Sequence, residues 1–158
     1  MNEAEIRRIV QDTMSSLKTD KSKLTLSLAE KLCNEVMRKA KDMGVKAVVC
    51  VSDSAGNPKL VKSMDDAYIA SYDVAVNKAF TVVALKMSTI TLKPLAQPGE
   101  SLYGIQFTNN GKIVIFGGGD PLCDENGNIV GGLGVSGGSE AEDTALSAFG
   151  KEYFERTM

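Results

Sequence analysis

The sequence predicts a single α/β domain of the α+β type, in which helices pack on a mostly antiparallel sheet. Its 158 residues are 43% apolar, enough for one domain to bury a core without disulfide or metal crosslinks. Stretches rich in β-branched residues come in pairs joined by short polar turns, and helical patterns separate the pairs. Hairpin pairing makes neighbouring strands antiparallel, so the helices cover the faces of the sheet.

The first eighteen residues predict an amphipathic helix with an apolar stripe that must be buried against another surface. Residues 1–18 are followed by a polar linker, 19–23, and then by the main domain, 24–158. The helix must bury its apolar stripe either on its own domain or in the groove of a partner protein. The stripe consists of Ile6, Ile9, Val10, Met14 and Leu17.

The first half of the main domain predicts a helix followed by a hairpin. Residues 25–43 have a helical apolar stripe and a glycine stop, and residues 45–52 are typical of a buried strand. DSAGNP, residues 53–58, predicts a turn in which Asp53 accepts hydrogen bonds from the backbone, and 59–64 is the returning strand.

A long helical region follows this hairpin. Asp65 and Asp66 precede residues 67–87, and we expect Asp65 to cap this helix. The region breaks near Ser88, which can cap a further short helix over TITLKPLA, residues 89–96.

The second half of the domain predicts another hairpin and a closing helix. KIVIFGGG, residues 112–119, is typical of a strand, and DPL, 120–122, of a bend. DENGN, 124–128, predicts a tight turn before the strand 129–138, and residues 139–157 predict a helix.

Composition excludes several classes of function. The net charge of −2 is well mixed, which argues against a nucleic-acid partner, and no apolar run is long enough for a membrane span. The N-terminus lacks the apolar core of a secretory signal, so we expect a cytoplasmic address. Cys33, Cys50 and Cys123 are far apart in the sequence, which predicts buried thiols rather than disulfides or a metal site.

The chain contains no histidine, and this absence limits the possible catalytic and metal-binding functions more than any other feature of the composition. It excludes Ser–His–Asp and Cys–His catalysis, histidine zinc sites and histidine-ligated haem. Acid–base chemistry would have to use Asp, Glu, Lys, Tyr or Cys, and no pair of these forms an evident couple. We therefore assign no catalytic residue and no metal ligand, and leave open whether the protein is an enzyme.

A GxGxxG pattern, formed by Gly132, Gly134 and Gly137, raises the question of a nucleotide site. Only one helix follows it, so the second strand of a dinucleotide-binding unit is missing. Ser139 and Glu142 also form a capping box that satisfies the amides a phosphate would use. Two explanations remain: the glycines allow another part of the chain to pack closely on the strand, or they leave an open surface for a ligand or a second subunit.

Three other residues allow two interpretations each. Lys78 lies on a helix whose other face is apolar, so its ammonium either reaches solvent or points into a pocket toward an anionic carboxylate. Met64 is either core filler or a soft ligand, and core filler is the simpler choice. Asp143 is most simply a favourable charge in the first turn of the last helix.

Several segments in order resemble a known family over about residues 24–150. The segments are LTLSLAEKLCNEVMRKAKDMGVKAVVCVSDSAGN, Met64-Asp65, DVAVNKAFTVVAL, LAQPGESLYGIQ, KIVIFGGGDPL and VGGLGVSGGSEAED. On these segments the chain is similar to the GlcG/HbpS-type haem-binding family, which also supplies the C-terminal domain of PduO-type cobalamin adenosyltransferases. The resemblance implies a profilin-like fold with a five-stranded antiparallel sheet, helices on both faces and homo-oligomers. It also implies haem binding or degradation and cobalamin-related metabolism.

The resemblance leaves the cofactor open, because a haem in this chain would lack a histidine ligand. Met64, Tyr103, Lys78 or Cys123 would have to ligate the iron, or nothing would. We predict a small-ligand-binding accessory protein for haem, another tetrapyrrole or a cobalamin-related compound. The alternatives are an oligomeric scaffold without a cofactor, or a weak enzyme of haem or small organic acid metabolism. The predicted ligand-binding residues are Lys78, Met64, Phe116, Gly117, Gly118, Gly132 and Gly134.

The N-terminal segment carries a second resemblance. MNEAEIRRIVQDTMSSLK is similar to the encapsulation peptides that direct enzymes into bacterial microcompartments. This implies a shell protein or a cargo enzyme as partner, and the interior of a microcompartment as the location within the cytoplasm.

Overall fold

A computed structural model describes residues 2–16 and 23–157. Of the predicted apolar stripe, Leu17 lies outside the described residues, and so does the side chain of Met14. The linker residues 19–22 also lie outside them. The helices are α1 Glu3–Ser16, α2 Leu26–Asp42, α3 Ile69–Ala84, α4 Thr89–Leu95 and α5 Glu140–Thr157. The strands are β1 Val48–Asp53, β2 Pro58–Ser63, β3 Gly119–Cys123 and β4 Ile129–Ser136.

The four strands form one antiparallel sheet in the order β2-β1-β4-β3. Both hairpins are closed by the same five-residue turn, Asp-x-x-Gly-Asn. In the first, the Oδ1 atom of Asp53 accepts from the amides of Ala55 and Asn57 at 2.9 Å, and Gly56 has a φ of 80°. In the second, Asp124 makes the same two bonds at the same distance. The predicted turns are therefore confirmed.

Helices cover both faces of the sheet. Helices α2 and α5 pack together on one face, over a core that includes Leu32, Val49, Leu133 and Phe154. Helix α3 lies on the other face, across β1, β3 and β4. The mixed α+β architecture with an antiparallel sheet is the predicted fold class.

Side chains and a glycine close in the sequence define the ends of α2, α4 and α5. The hydroxyl of Thr25 accepts from the amide of Leu28 and caps α2, and Gly44 beyond its end has a φ of 73°. Ser88 caps α4, as predicted. Ser139 and Glu142 form the predicted capping box, since the Ser139 amide donates to Glu142 Oε2 at 2.7 Å and the Glu142 amide donates to Ser139 Oγ at 3.3 Å.

Three expectations differ from the structure. Residues 112–118 form no strand, and the predicted bend at 120–122 is part of β3. The reason is that side chains bind the amides of this segment before it reaches the sheet: Thr81 Oγ1 accepts from the Val114 amide and Glu140 Oε2 from the Gly117 amide. At Gly118 the segment meets β4, where the Gly118 carbonyl accepts from the Val135 amide at 2.8 Å. The sheet of the described residues consequently has four strands, not the five that the resemblance implied. Helix α3 begins after Tyr68, so Asp65 does not cap it.

The profilin-like assignment stays a prediction. Within residues 2–16 and 23–157, no helix has the length and apolar character needed to cross a bilayer.

Candidate functional site

The predicted site residues fall into two separate places, and the first is a buried ion pair. Lys78 is fully buried beneath α3, and its Nζ atom donates to Asp143 Oδ2 at 3.0 Å and to the Val135 carbonyl at 2.7 Å. Asp143 in turn accepts from the Gly138 amide at 2.9 Å through Oδ1. Neither predicted interpretation of Lys78 anticipated this arrangement, because the ammonium points inward but toward a residue of its own chain.

Phe116 and Gly118 lie against the Lys78 ammonium, and Gly117 joins them in the sequence. The ring centroid of Phe116 lies 5.1 Å from Lys78 Nζ, within range of a cation–π interaction. Gly118 has a φ of 112°, and a methyl group added there would lie 2.5 Å from that ammonium. Only glycine fits at this position, because the backbone must pass directly over the charge. Four of the predicted ligand-binding residues therefore meet here.

Burial shifts the pKa of each member of the pair in the direction of its neutral form. Burial lowers the pKa of Lys78, and Asp143 opposes that shift. Burial also raises the pKa of Asp143, against the effect of Lys78 and of two backbone amides. Both shifts favour the neutral forms, so the desolvation of each group outweighs its attraction to the other. A ligand could reach Lys78 only if Phe116 and the glycine segment moved, so the pair is a structural centre in this conformation.

Gly132 and Gly134 lie on β4 directly under α3. A methyl group added at Gly134 would overlap the Ala75 carbonyl oxygen and lie 2.7 Å from the Ala79 amide nitrogen. One added at Gly132 would overlap the Ala79 carbonyl oxygen. The two glycines let the backbone of α3 rest on the sheet, and they are not part of the open surface described next.

The second place is a groove of about 560 Å³ between the C-terminal end of α2 and the end of β2. Met64, also a predicted site residue, lies in it. Its side chain is half-buried, and its Sδ atom accepts from the Ala47 amide at 3.3 Å. The groove is lined by Met37, Lys41, Gly44, Val45, Lys46, Ser63, Met64, Asp65 and Asp66.

The groove combines an apolar lining with charged residues. Met37, Val45 and Met64 supply thioether and aliphatic surface, while Lys41 and Lys46 are exposed. Lys46 is bound to Asp66, with 3.1 Å between Nζ and Oδ2, but both side chains stay largely exposed. A solvent-screened pair of this kind contributes little stability, so a ligand anion can compete for the lysine.

The remaining sulfur and phenol candidates are dispersed. Tyr103 is 62% exposed on the loop after α4. Cys123 is half-buried at the end of β3, and Cys33 and Cys50 are buried thiols whose pKa values burial raises to about 12. Among residues 2–16 and 23–157, no three acidic or cysteine side chains cluster as metal ligands would.

Sequence reasoning missed Asp143 as the partner of Lys78, and Met37, Lys41 and Lys46 as neighbours of Met64. A signal for the first was available: a lysine on a helix that is apolar on both sides needs an acid to accompany it into the core. No local pattern could have found the groove, because its residues come from two separate segments, 37–46 and 63–66.

The profile of the family described as "Haem degrading protein HbpS-like" matches residues 24–151. The chain belongs to the HbpS-like family. A Citrobacter freundii relative, described as an uncharacterized 15.0 kDa protein in the dhaT–dhaS intergenic region, is 44% identical to it over 124 residues. That match covers 78% of this HbpS-like chain and 87% of the relative.

Two further comparisons concern PduO. The corrinoid adenosyltransferase PduO of Citrobacter freundii is 34% identical over 147 residues, which cover 90% of this HbpS-like chain but only 44% of PduO. The chain thus spans less than half of that enzyme. A crystal structure of a PduOC–haem complex superimposes with a TM-score of 0.79 at 35% identity, covering 82% of this chain and 94% of that one.

Proposed function

We propose that this HbpS-like protein is an accessory protein that binds haem or a related tetrapyrrole in the groove around Met64. The family's description as haem degrading and the haem complex of PduOC, a fold neighbour, support the ligand class. The observation that carries the proposal is the groove itself, in which two methionines lie beside two exposed lysines. A corrinoid is the second ligand to test, because PduO acts on corrinoids by name.

The groove suits such a ligand in size and in chemistry. Its volume of about 560 Å³ falls in the range of small-molecule sites. Met37, Val45 and Met64 would contact the flat apolar ring, and the ammonium groups of Lys41 and Lys46 would bind its carboxylates. The thioether of Met64 is a soft donor of a type that ligates haem iron elsewhere.

When bound, haem would supply redox and ligand-binding chemistry at its iron. The chain's own residues would hold it: Lys41 and Lys46 would bind its carboxylates, and the Met64 thioether would be available as a ligand to the iron. To ligate the iron, the Met64 sulfur would have to share or give up the hydrogen bond that it accepts from the Ala47 amide. We assign no catalytic step to the protein, because the titratable groups that line the groove, Lys41, Lys46, Asp65 and Asp66, are all exposed to solvent.

Replacing Met64 by leucine should weaken haem binding at least about tenfold and remove the spectral signature of thioether ligation. Leucine preserves the volume but removes the acceptor of the buried Ala47 amide, so the protein should lose about 1–3 kcal/mol of unfolding free energy. The measurement is an absorbance titration of the full chain with haemin, repeated with cobalamin. The matched control is Met87→Leu, a half-buried methionine outside the groove.

If wild type shows no saturable change with either compound, the tetrapyrrole proposal fails. If Met64→Leu and Met87→Leu both bind as wild type does, the ligand lies elsewhere.

We also propose that residues 1–18 form a docking helix, joined by the linker 19–23 to the domain 24–158. Its partner would be a shell protein or a cargo enzyme of a bacterial microcompartment. The exposed stripe on α1 supports this, since Ile6, Ile9 and Val10 are 45%, 53% and 50% exposed. A short helix gains little from propensity alone and is stabilised mainly by burying such a stripe.

We propose a homo-oligomer for the domain itself.

Deleting residues 2–16 should change the free energy of unfolding of the domain by less than about 0.5 kcal/mol, because the described α1 side chains are exposed. The same deletion should abolish localisation of a fluorescent fusion in cells that form microcompartments. Ile9→Ser with Val10→Ser should reproduce the loss, and Arg8→Ser on the polar face should not. Unchanged localisation of the deletion variant would refute the targeting role.

A further inference from the structure

The amine of Lys78 is enclosed by hydrogen bonds on one side and by an aromatic ring on the other. Among the described residues two acceptors bind its Nζ atom, the Val135 carbonyl at 2.7 Å and Asp143 Oδ2 at 3.0 Å. The ring centroid of Phe116 lies 5.1 Å from the same atom, and Phe116 is itself 43% exposed. A partly exposed ring, followed by glycines without side chains, therefore separates a buried amine from solvent.

The Phe116 ring belongs to a segment that can turn at Gly118. The Gly118 carbonyl is fixed to β4, because it accepts from the Val135 amide at 2.8 Å. Gly118 has a φ of 112°, and a glycine backbone rotates more freely than that of any other residue type. On the outer side of Gly118, the Gly117 amide donates to Glu140 Oε2 at 3.1 Å. Loss of that bond would allow Phe116 and Gly117 to swing away from the Lys78 amine.

Lys93 acts on the same bond through Glu140. Its Nζ atom pairs with Glu140 Oε1, while Glu140 Oε2 holds the Gly117 amide. The side chains of Lys93 and Glu140 are 43% and 32% exposed, and a solvent-screened pair of this kind contributes little stability. A ligand carboxylate that binds Lys93 would compete with Glu140 and would loosen the group that holds Gly117.

We propose that Lys78 forms an imine with a small oxo acid, whose carbonyl carbon enters where the Phe116 ring lies and whose carboxylate binds Lys93. Lysine amines condense with carbonyl groups, and desolvation in an apolar pocket activates them for this reaction. Burial lowers the pKa of Lys78 and raises the pKa of Asp143, which supports an amine beside a carboxylic acid. Imine formation is independent of haem binding, because none of these residues lines the groove around Met64.

Atoms and charges balance in this condensation without a further reactant. The electron pair of Lys78 Nζ attacks the carbonyl carbon, and the π pair of the carbonyl moves to its oxygen, which takes the proton of the Asp143 carboxyl. The nitrogen then gives one proton to the Asp143 carboxylate, which passes it to the new hydroxyl group. That group leaves as water while the nitrogen pair forms the carbon–nitrogen double bond. The product is a protonated imine paired with the Asp143 carboxylate.

The first test is borohydride trapping of the full chain with pyruvate at pH 7, followed by proteolysis and mass spectrometry. Borohydride reduces the imine to a stable secondary amine, and the peptide map identifies the lysine that carries it. Lys78 should be labelled at least about tenfold faster than any exposed lysine, since only about one in 2,500 ordinary lysine side chains is an unprotonated amine at pH 7. Mapping assigns the residue directly, so no Lys78 variant has to fold. Labelling confined to exposed lysines, such as Lys59 and Lys86, would overturn the proposal.

The second test concerns the entry path. Phe116→Ala should raise the labelling rate of Lys78 at least about threefold, while Phe107→Ala, at an 81% exposed position outside the segment, should leave it unchanged. A Phe116→Ala protein that is labelled no faster than wild type would overturn entry at Phe116.

The third test concerns the carboxylate of the ligand. Lys93→Gln should slow labelling by pyruvate at least about fivefold, but it should not slow labelling by acetone, which has no carboxylate. A Lys93→Gln protein that keeps the wild-type preference for pyruvate over acetone would overturn the role of Lys93.

Discussion

Replacing Lys78 by methionine will lower the free energy of unfolding by about 3–5 kcal/mol, the usual cost of removing one partner of a buried ion pair. The loss arises because Asp143 would remain buried without its main cationic partner, and the Val135 carbonyl would lose its 2.7 Å donor. Methionine retains the length of the side chain, so a cavity contributes little. The measurement is urea unfolding at pH 7 followed by circular dichroism.

The companion variant separates charge from packing. Lys78→Met with Asp143→Asn removes both charges and keeps an acceptor for the Gly138 amide, so it should recover the part of the loss that comes from the unpaired Asp143 carboxylate. The control is Lys46→Met, which breaks the exposed pair with Asp66 and should cost less than about 1 kcal/mol. A Lys78→Met protein as stable as wild type would show that the pair is not the structural centre described above.

Replacing Gly134 by alanine will destabilise the protein by at least about 3 kcal/mol, at the upper end of overpacking effects. The added methyl group would overlap the Ala75 carbonyl oxygen, which belongs to the backbone of α3 and cannot move as a side chain tip can. The whole helix would have to rise from the sheet. Thermal unfolding of the variant, with its far-UV spectrum, measures this effect.

Gly99→Ala is the matched control for this prediction. Gly99 has a φ of 88° but no atom within 4 Å of an added methyl group, so only backbone strain of about 1 kcal/mol is expected. If Gly134→Ala is no less stable than Gly99→Ala, close packing is not the reason for the glycine. The alternative, that the glycines of this strand leave space for a ligand or a second subunit, would then be favoured.

Features set by neighbouring residues were predictable from the sequence. The two Asp-x-x-Gly-Asn turns and the capping box of α5 each depend on side chains within five positions of the backbone they bind. The nucleotide interpretation of the GxGxxG pattern could be rejected for the same reason, since the acidic first turn of α5 is visible in the sequence. The pairing within each hairpin, β1 with β2 and β3 with β4, followed from these turns, but the pairing of β1 with β4 did not.

Features set by distant residues were not predictable. Residues 112–117 have the composition of a strand, but Thr81 and Glu140, from two helices, accept the hydrogen bonds of the Val114 and Gly117 amides instead. The pairing of Lys78 with Asp143 spans 65 positions, and an acid in the first turn of a helix has a sufficient local explanation. The close contact of α3 with β4 explains Gly132 and Gly134 without any ligand, and this could be seen only once the helix was placed on the sheet.

The most direct test of ligand binding at the groove is methyl NMR of the methionines during a titration with ferric haem. The chain has seven methionines, and single Met→Leu variants assign their signals. If the groove binds haem, the paramagnetic iron will broaden or shift the methyl signals of Met37 and Met64, while that of Met87 stays unchanged. Unperturbed Met37 and Met64 signals in the presence of bound haem would contradict the proposed site.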